Sequence, residues 1–132
     1  MRFTPQLREL RWLVARPIAH RGLHDSNAGI IENTQSAFAG AIENGYAIEC
    51  DIQLSADGEA MVFHDWELDR LTGASGLARS RTAAQLGEIG LNRGVDTIPR
   101  LAQVLNLISG QVPLMIEVKS RREIPVGPVC AA

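Results

Sequence analysis

The sequence predicts an α/β fold assembled from parallel βα units. Two patterns carry that expectation. Short apolar runs at 17–20, 46–54, 60–64 and 113–118 read as strands, and most are separated by segments whose apolar residues recur at helical spacing. Strands alternating with helices in this way indicate a parallel sheet covered by its crossovers. The length of 132 residues fits one domain. A chain of that size buries roughly two thirds of the surface its unfolded form exposes, enough for a core without staples.

Each element has a local reason. Thr4-Pro5 offers an N-cap and a first-turn proline, Leu7, Leu10, Leu13 and Val14 continue at helical spacing, and Pro17 ends the helix. Ile18-Ala19-His20 then reads as a buried strand stopped by Arg21-Gly22, followed by a polar loop from His24 to Gly29. Asn33 or Thr34 caps the next helix, whose stripe is Ala37, Phe38, Ala41 and Ile42, and Gly45 supplies its left-handed stop. Tyr46 to Leu54 and Ala60 to His64 are strands joined through Ala56-Asp57-Gly58-Glu59. Further helices are expected over 82–89 and 99–108, with Gly110 closing the second, before the strand Pro113 to Val118. The segment 121–132, RREIPVGPVCAA, has two prolines and no clear period, and reads as an off-pattern tail.

Composition removes several function classes. The 13 basic and 15 acidic residues nearly balance, leaving neither a nucleic-acid footprint nor a polybasic membrane patch. Six aromatics are too few for a base-stacking platform. Nothing approaches the ~18–20 apolar residues of a membrane span. Arginines and a glutamate interrupt the N-terminal apolar residues, so the apolar centre of a signal peptide is missing. Cys50 and Cys130 lack disulfide or zinc spacing and read as reduced thiols, which suits the cytoplasm.

Three strand-like segments carry groups suited to a metal or a phosphate. Glu49 and Asp51 are two apart, so both leave the same strand face, and two carboxylates there repel unless a positive group sits between them. Hard divalent cations with oxygen ligands answer that need. Glu117 repeats the theme inside an apolar strand, where an acid is costly to bury unless paired or coordinated. Lys119 shares its face, so a simple ion pair is the plainer alternative. His20 and His64 each end a strand. A strand-end histidine is most often a hydrogen-bonded structural residue, but two of them beside three acids on apolar strands point to chemistry. If Asp57-Gly58 is a two-residue hairpin turn, Asp51 lies opposite His64. If the two strands are instead parallel, both residues lie near C-terminal strand ends, where α/β folds place their sites.

The run Ile18-Ala19-His20-Arg21-Gly22, Glu32-Asn33-Thr34, Glu49-Cys50-Asp51, Asp57-Gly58, Phe63-His64-Asp65, Leu68 with Arg70-Leu71-Thr72, Ile98-Pro99-Arg100-Leu101 and Ile116-Glu117-Val118-Lys119 resembles the glycerophosphodiester phosphodiesterase family over residues 17–120. The resemblance implies a TIM-type (β/α)8 barrel, here its N-terminal half of about four strands, since a whole barrel needs ~200–250 residues. It implies hydrolysis of a small-molecule glycerophosphodiester to glycerol 3-phosphate and an alcohol. Glu49, Asp51 and Glu117 would hold one divalent cation, Mg2+ or Ca2+. His20 and His64 would be the acid–base pair, and Arg21 and Lys119 would bind the phosphate, with Glu32-Asn33-Thr34 and the loop acids in support. Half a barrel has open sheet edges, so a homo-oligomer joined through them is an expectation. Two other readings are a truncated, catalytically silent fragment and a related phosphodiesterase acting on lipid head groups.

Overall fold

The computed structural model describes residues 11–120 together with Gly127 and Cys130. Most of the 121–132 tail and the start of the expected first helix lie outside the described residues. The helix seen there, α1 (Trp12–Ala15), stops before Pro17, which forces Arg16 into the extended region. Among the described residues no helix is long and apolar enough to cross a membrane.

Four strands form one sheet: β1 (Ile18–His20), β2 (Ala47–Leu54), β3 (Ala60–Val62) and β4 (Leu114–Val118). β2 is its centre. The backbone of Ala47 and Asp51 bonds toward Pro17 and Phe63, whereas that of Ile48 and Ile52 bonds toward Pro113 and Lys119. β1 and β3 therefore follow one another along one edge of β2, and β4 runs along the other. β1 and β4 are parallel to β2, and β3 returns antiparallel.

The β2–β3 connection corrects the expected register. Ile52 pairs with Val62, and Ser55 and Glu59 close a three-residue loop of Ala56, Asp57 and Gly58. Asp51 consequently faces Phe63, whose N–H donates to the Asp51 carbonyl, and His64 lies one residue beyond the pairing. The physical reason is Gly58 at φ +85°, which gives the longer loop the left-handed residue it needs.

α2 (Gln35–Glu43) is capped by Thr34, whose hydroxyl accepts from Ala37 N–H and donates to the Ile31 carbonyl. Gly45 at φ +65° follows its end. α3 (Ala83–Gly87) carries a capping box between Thr82 and Gln85 but is shorter than expected, with glycine, a poor helix former, as its last residue. α4 (Leu101–Ile108) starts after Pro99, with Gln103 accepting from the Arg100 N–H, and ends through Ser109 and Gly110, both at positive φ.

Two apolar cores result. Ile48, Cys50 and Ile52 from the outer face of β2 pack with Phe38, Ala41, Val104 and Ile108 of α2 and α4. Phe63, Leu68, Leu86, Leu91 and Ile98 form a second cluster under the long segment between β3 and α4. The opposite face of β2 carries Glu49, Asp51 and Gln53.

Gly22 fixes how closely the loop after β1 approaches α2. Its φ is +85°, and an added Cβ would meet the Ala37 Cβ at 2.7 Å and the Ala37 carbonyl carbon at 2.9 Å. Gly58 has the same φ and open space around it. Gly58→Ala should therefore cost about 1–2 kcal/mol from backbone strain alone. Gly22→Ala should lose a further ~1–3 kcal/mol to overpacking. Urea unfolding of the two variants measures the difference, and equal losses would contradict the close approach.

Candidate functional site

Asp51 is fully buried in the middle of β2, and an isolated carboxylate there would be strongly disfavoured. Three side chains compensate. Asn33, at φ +58°, donates from Nδ2 to Asp51 Oδ2 at 2.9 Å and accepts the Asp51 N–H on Oδ1 at 3.3 Å. Arg21 Nε lies 3.2 Å from Oδ2, and Lys119 Nζ lies 2.8 Å from Oδ1. Burial raises the carboxyl's pKa, but the hydrogen bonds from Lys119 and Asn33 and the Lys119 charge outweigh it, holding Asp51 below its ordinary range. Asp51 is therefore a carboxylate.

Glu49 behaves oppositely. Burial raises its pKa, the neighbouring Asp51 charge adds to the rise, and one hydrogen bond from the Arg21 N–H at 3.1 Å only partly offsets them. Glu117 reaches the same place from β4, where its partner across the ladder is Asp51. Its side chain is 56% exposed, which corrects the picture of an acid buried inside an apolar strand. β4 bonds to β2 along one edge, and no other described strand covers it. Lys119 Nζ lies 2.5 Å from Glu117 Oε1, so the plain ion pair is present as well.

One oxygen each from Glu49, Asp51 and Glu117 lies within 4.8 Å of the other two. Two oxygens bound to one calcium ion stand no farther apart than twice the ~2.4 Å bond, ~4.8 Å, so the three residues fit a single divalent cation. The all-oxygen donor set suits a hard divalent cation.

Around this cluster lies a web of charges. Arg21, at φ +59°, turns its backbone N–H toward Glu49 and its guanidinium toward Asp51 and Glu32, with Nη1 2.9 Å from Glu32 Oε1. Glu32 also receives both terminal nitrogens of Arg70, at 2.7 and 3.1 Å. The Arg70 Nε and one terminal nitrogen hold both oxygens of Asp65. Burial opposes ionisation of Glu32 and Asp65, but the arginines prevail and keep both carboxyls below the usual range.

The two histidines sit differently. His20 pairs with Glu49 across the β1–β2 ladder, and its Nε2 lies 3.9 Å from Glu49 Oε2 with the side chain 69% exposed. His64 is half-buried at a bend, and its Nδ1 lies 2.6 Å from Asp65 Oδ1. An open cavity of about 580 Å³ is lined by His64, Asp65, Arg70 and Lys119 among others, and a cleft of about 370 Å³ by His20, Glu49 and Glu117. Lys119 lines the first cavity and pairs with Glu117, which lines the second.

The structure thus gathers the three acids, Arg21 and Lys119 into one contiguous cluster, with His20 beside it and His64 across Lys119. Sequence reasoning gave no role to Arg70 or Gln53, and treated Asn33 as a cap or general support. Arg70 was visible only as an arginine five residues after Asp65. Gln53 carried the same strand parity as Glu49 and Asp51.

The model of the glycerophosphoryl diester phosphodiesterase family matches residues 20–128. A glycerophosphodiester phosphodiesterase of Bacillus altitudinis is 34% identical over 113 residues, covering 80% of this chain and 45% of the relative. One from Caldanaerobacter subterraneus is 37% identical over 111 residues, covering 78% and 44%. Among solved structures, an Oleispira antarctica phosphodiesterase in complex with the product sn-glycerol-3-phosphate superposes with a TM-score of 0.70 at 31% identity, covering 82% of this chain and 47% of that one. The Thermotoga maritima glycerophosphodiester phosphodiesterase gives 0.68 at 33% identity, covering 86% and 45%. The chain spans about half the length of the relatives it matches. With the motifs, the sheet and these likenesses in agreement, the chain belongs to the glycerophosphoryl diester phosphodiesterase family, and its sheet is part of that family's TIM-type barrel.

Proposed function

We propose that the protein is a metal-dependent hydrolase of glycerophosphodiesters, releasing glycerol 3-phosphate and an alcohol. The observation that carries the reading is the convergence of Glu49, Asp51 and Glu117 to within the span of one cation, in a member of this family. Mg2+ or Ca2+ held by these carboxylates would neutralise phosphate charge and polarise the bond to be broken.

The chain's own residues supply the rest. Arg21 presents a planar fork and Lys119 a point charge for the phosphate oxygens, each exchanging a carboxylate partner for substrate. Asp65 stays ionised, so it accepts the Nδ1 proton of His64 and leaves the lone pair on Nε2 as a proton acceptor. We assign His64 as the base acting on the attacking hydroxyl. His20, exposed beside the acidic cluster, would give a proton to the departing alcohol. The attacking oxygen belongs to water or to the substrate's free glycerol hydroxyl, and a transient cyclic phosphate in phosphorus NMR distinguishes the second route.

The proposal extends to setting and assembly. Two free thiols, one of them buried, support a cytoplasmic location. Among the described residues no strand pairs with the far edge of β4, and Met115 and Ile116 are each more than one third exposed, which supports self-association through that edge.

Glu117→Gln should leave the fold intact, because the side chain is largely exposed. It should lower cation-dependent turnover of glycerophosphocholine by at least ~100-fold, the equivalent of several kcal/mol of transition-state stabilisation. Chelator should abolish the wild-type activity and added Mg2+ or Ca2+ should restore it. Turnover indifferent to both treatments would refute the reading.

Glu32 and Asp65 bind protons less readily folded than unfolded, so their contribution to stability is complete above about pH 4 and fades as pH falls through their lower folded values. Arg70→Met removes the cation responsible. Thermal unfolding between pH 3 and 7 should show the variant losing up to ~1 kcal/mol at neutral pH, a modest figure because Arg70 is about half exposed. The gap to wild type should close at low pH. A constant gap would exclude this coupling.

A further inference from the structure

We infer that Gln53 is a positioning residue that clamps the backbone on both sides of His64. Its side chain leaves β2 on the face that carries Glu49 and Asp51, and it is 2% exposed. Its Nε2 donates to the Phe63 carbonyl at 2.9 Å and to the Asp65 carbonyl at 2.7 Å. These two carbonyls bracket His64, where the chain has left the β2–β3 ladder and bends. Both amide hydrogens of one buried side chain are thus used on the two residues flanking the histidine.

The amide orientation is dictated. Turned over, Gln53 would set its own oxygen against two carbonyls. As placed, Oε1 is buried and accepts no hydrogen bond among the described residues. A buried acceptor without a partner is uncommon and calls for a reason. Here the reason is that the nitrogen is required elsewhere. The hold matters because the His64 ring and the Asp65 carboxylate are on adjacent residues. Their 2.6 Å contact is set by the backbone between them, and Gln53 grips that backbone at both ends. Arg70 fixes the Asp65 carboxylate from outside, and Gln53 fixes the main chain from inside. The role rests on the proposed part of His64 in proton transfer, but the clamp itself is testable without turnover.

The experiment is proton–nitrogen NMR of the His64 imidazole in the full chain. Wild type should give a downfield, exchange-protected Nδ1–H. Gln53→Met, similar in length and without donors, should broaden or lose it. Gln53→Lys, which restores N–H donors, should recover it. If Gln53→Met does not fold, Gln53→Asn, one methylene too short to reach both carbonyls, serves in its place. Where turnover is measurable, the donor-free variant should lower kcat by about 10–100-fold with KM within about twofold, the signature of a misplaced reacting group. An unchanged Nδ1–H signal in the donor-free or shortened variant overturns the clamp. A lost signal without any effect on wild-type-level turnover leaves the clamp standing and overturns the role of His64.

Discussion

The fully buried carboxylate of Asp51 is the constraint around which this half of the molecule is arranged. A charge in the centre of a sheet must be matched, and the groups that match it come from three separate places in the chain: the turn after β1, the entrance to α2, and the end of β4. Arg21 and Asn33 adopt left-handed backbone to reach it. Gly22, between them in sequence, lets the β1 turn press against α2 closely enough for both to arrive. The backbone follows the charge. Replacing Asp51 with an apolar residue would strip one acid partner from each of Arg21 and Lys119, leaving them to Glu32 and Glu117, not simply empty a pocket.

From that centre the charges extend outward in alternating sign. Asp51 is linked through Arg21 to Glu32, through Arg70 to Asp65, and so to His64. Each acid along this path touches a cation and each arginine touches two acids, so removal of any one weakens the pairing of its neighbours without leaving an arginine bare. His20 stands outside the path, its Nε2 3.9 Å from Glu49. Two histidines that look alike in sequence therefore occupy different situations, one oriented by an ionised partner and half-buried, the other at an exposed strand end.

Much of this was legible from side-chain parity and turn chemistry. A period of two put Glu49 and Asp51 on one face, and the β4 pattern put Glu117 and Lys119 on another that the parallel ladder brings alongside. What escaped depends on contacts that local patterns do not encode. Counting Asp57-Gly58 as the whole turn moved the expected pairing by one residue, whereas the loop includes Ala56 and sets Asp51 against Phe63. The apolar run around Glu117 resembles a strand covered on both sides, but burial is decided by neighbours, and among the described strands β4 pairs with β2 alone. Arg70 meets Glu32 across 38 residues of chain, and nothing in either segment announces the other.

The three candidate metal ligands differ in how firmly they are held, and the order is informative. Asp51 is fixed by an amide, a backbone bond and two cations. Glu49 has one backbone N–H and a carboxyl whose ionisation is opposed by burial and by Asp51. Glu117 is exposed and, among the described residues, tied to Lys119. The cluster therefore has one immobile charged ligand at its centre, a second whose charge gains most from a cation arriving between it and Asp51, and a third free to adjust. A site of this kind would bind through completion: the fold has already met the cost of burying the first carboxylate, and a divalent ion would relieve the repulsion remaining between the other two.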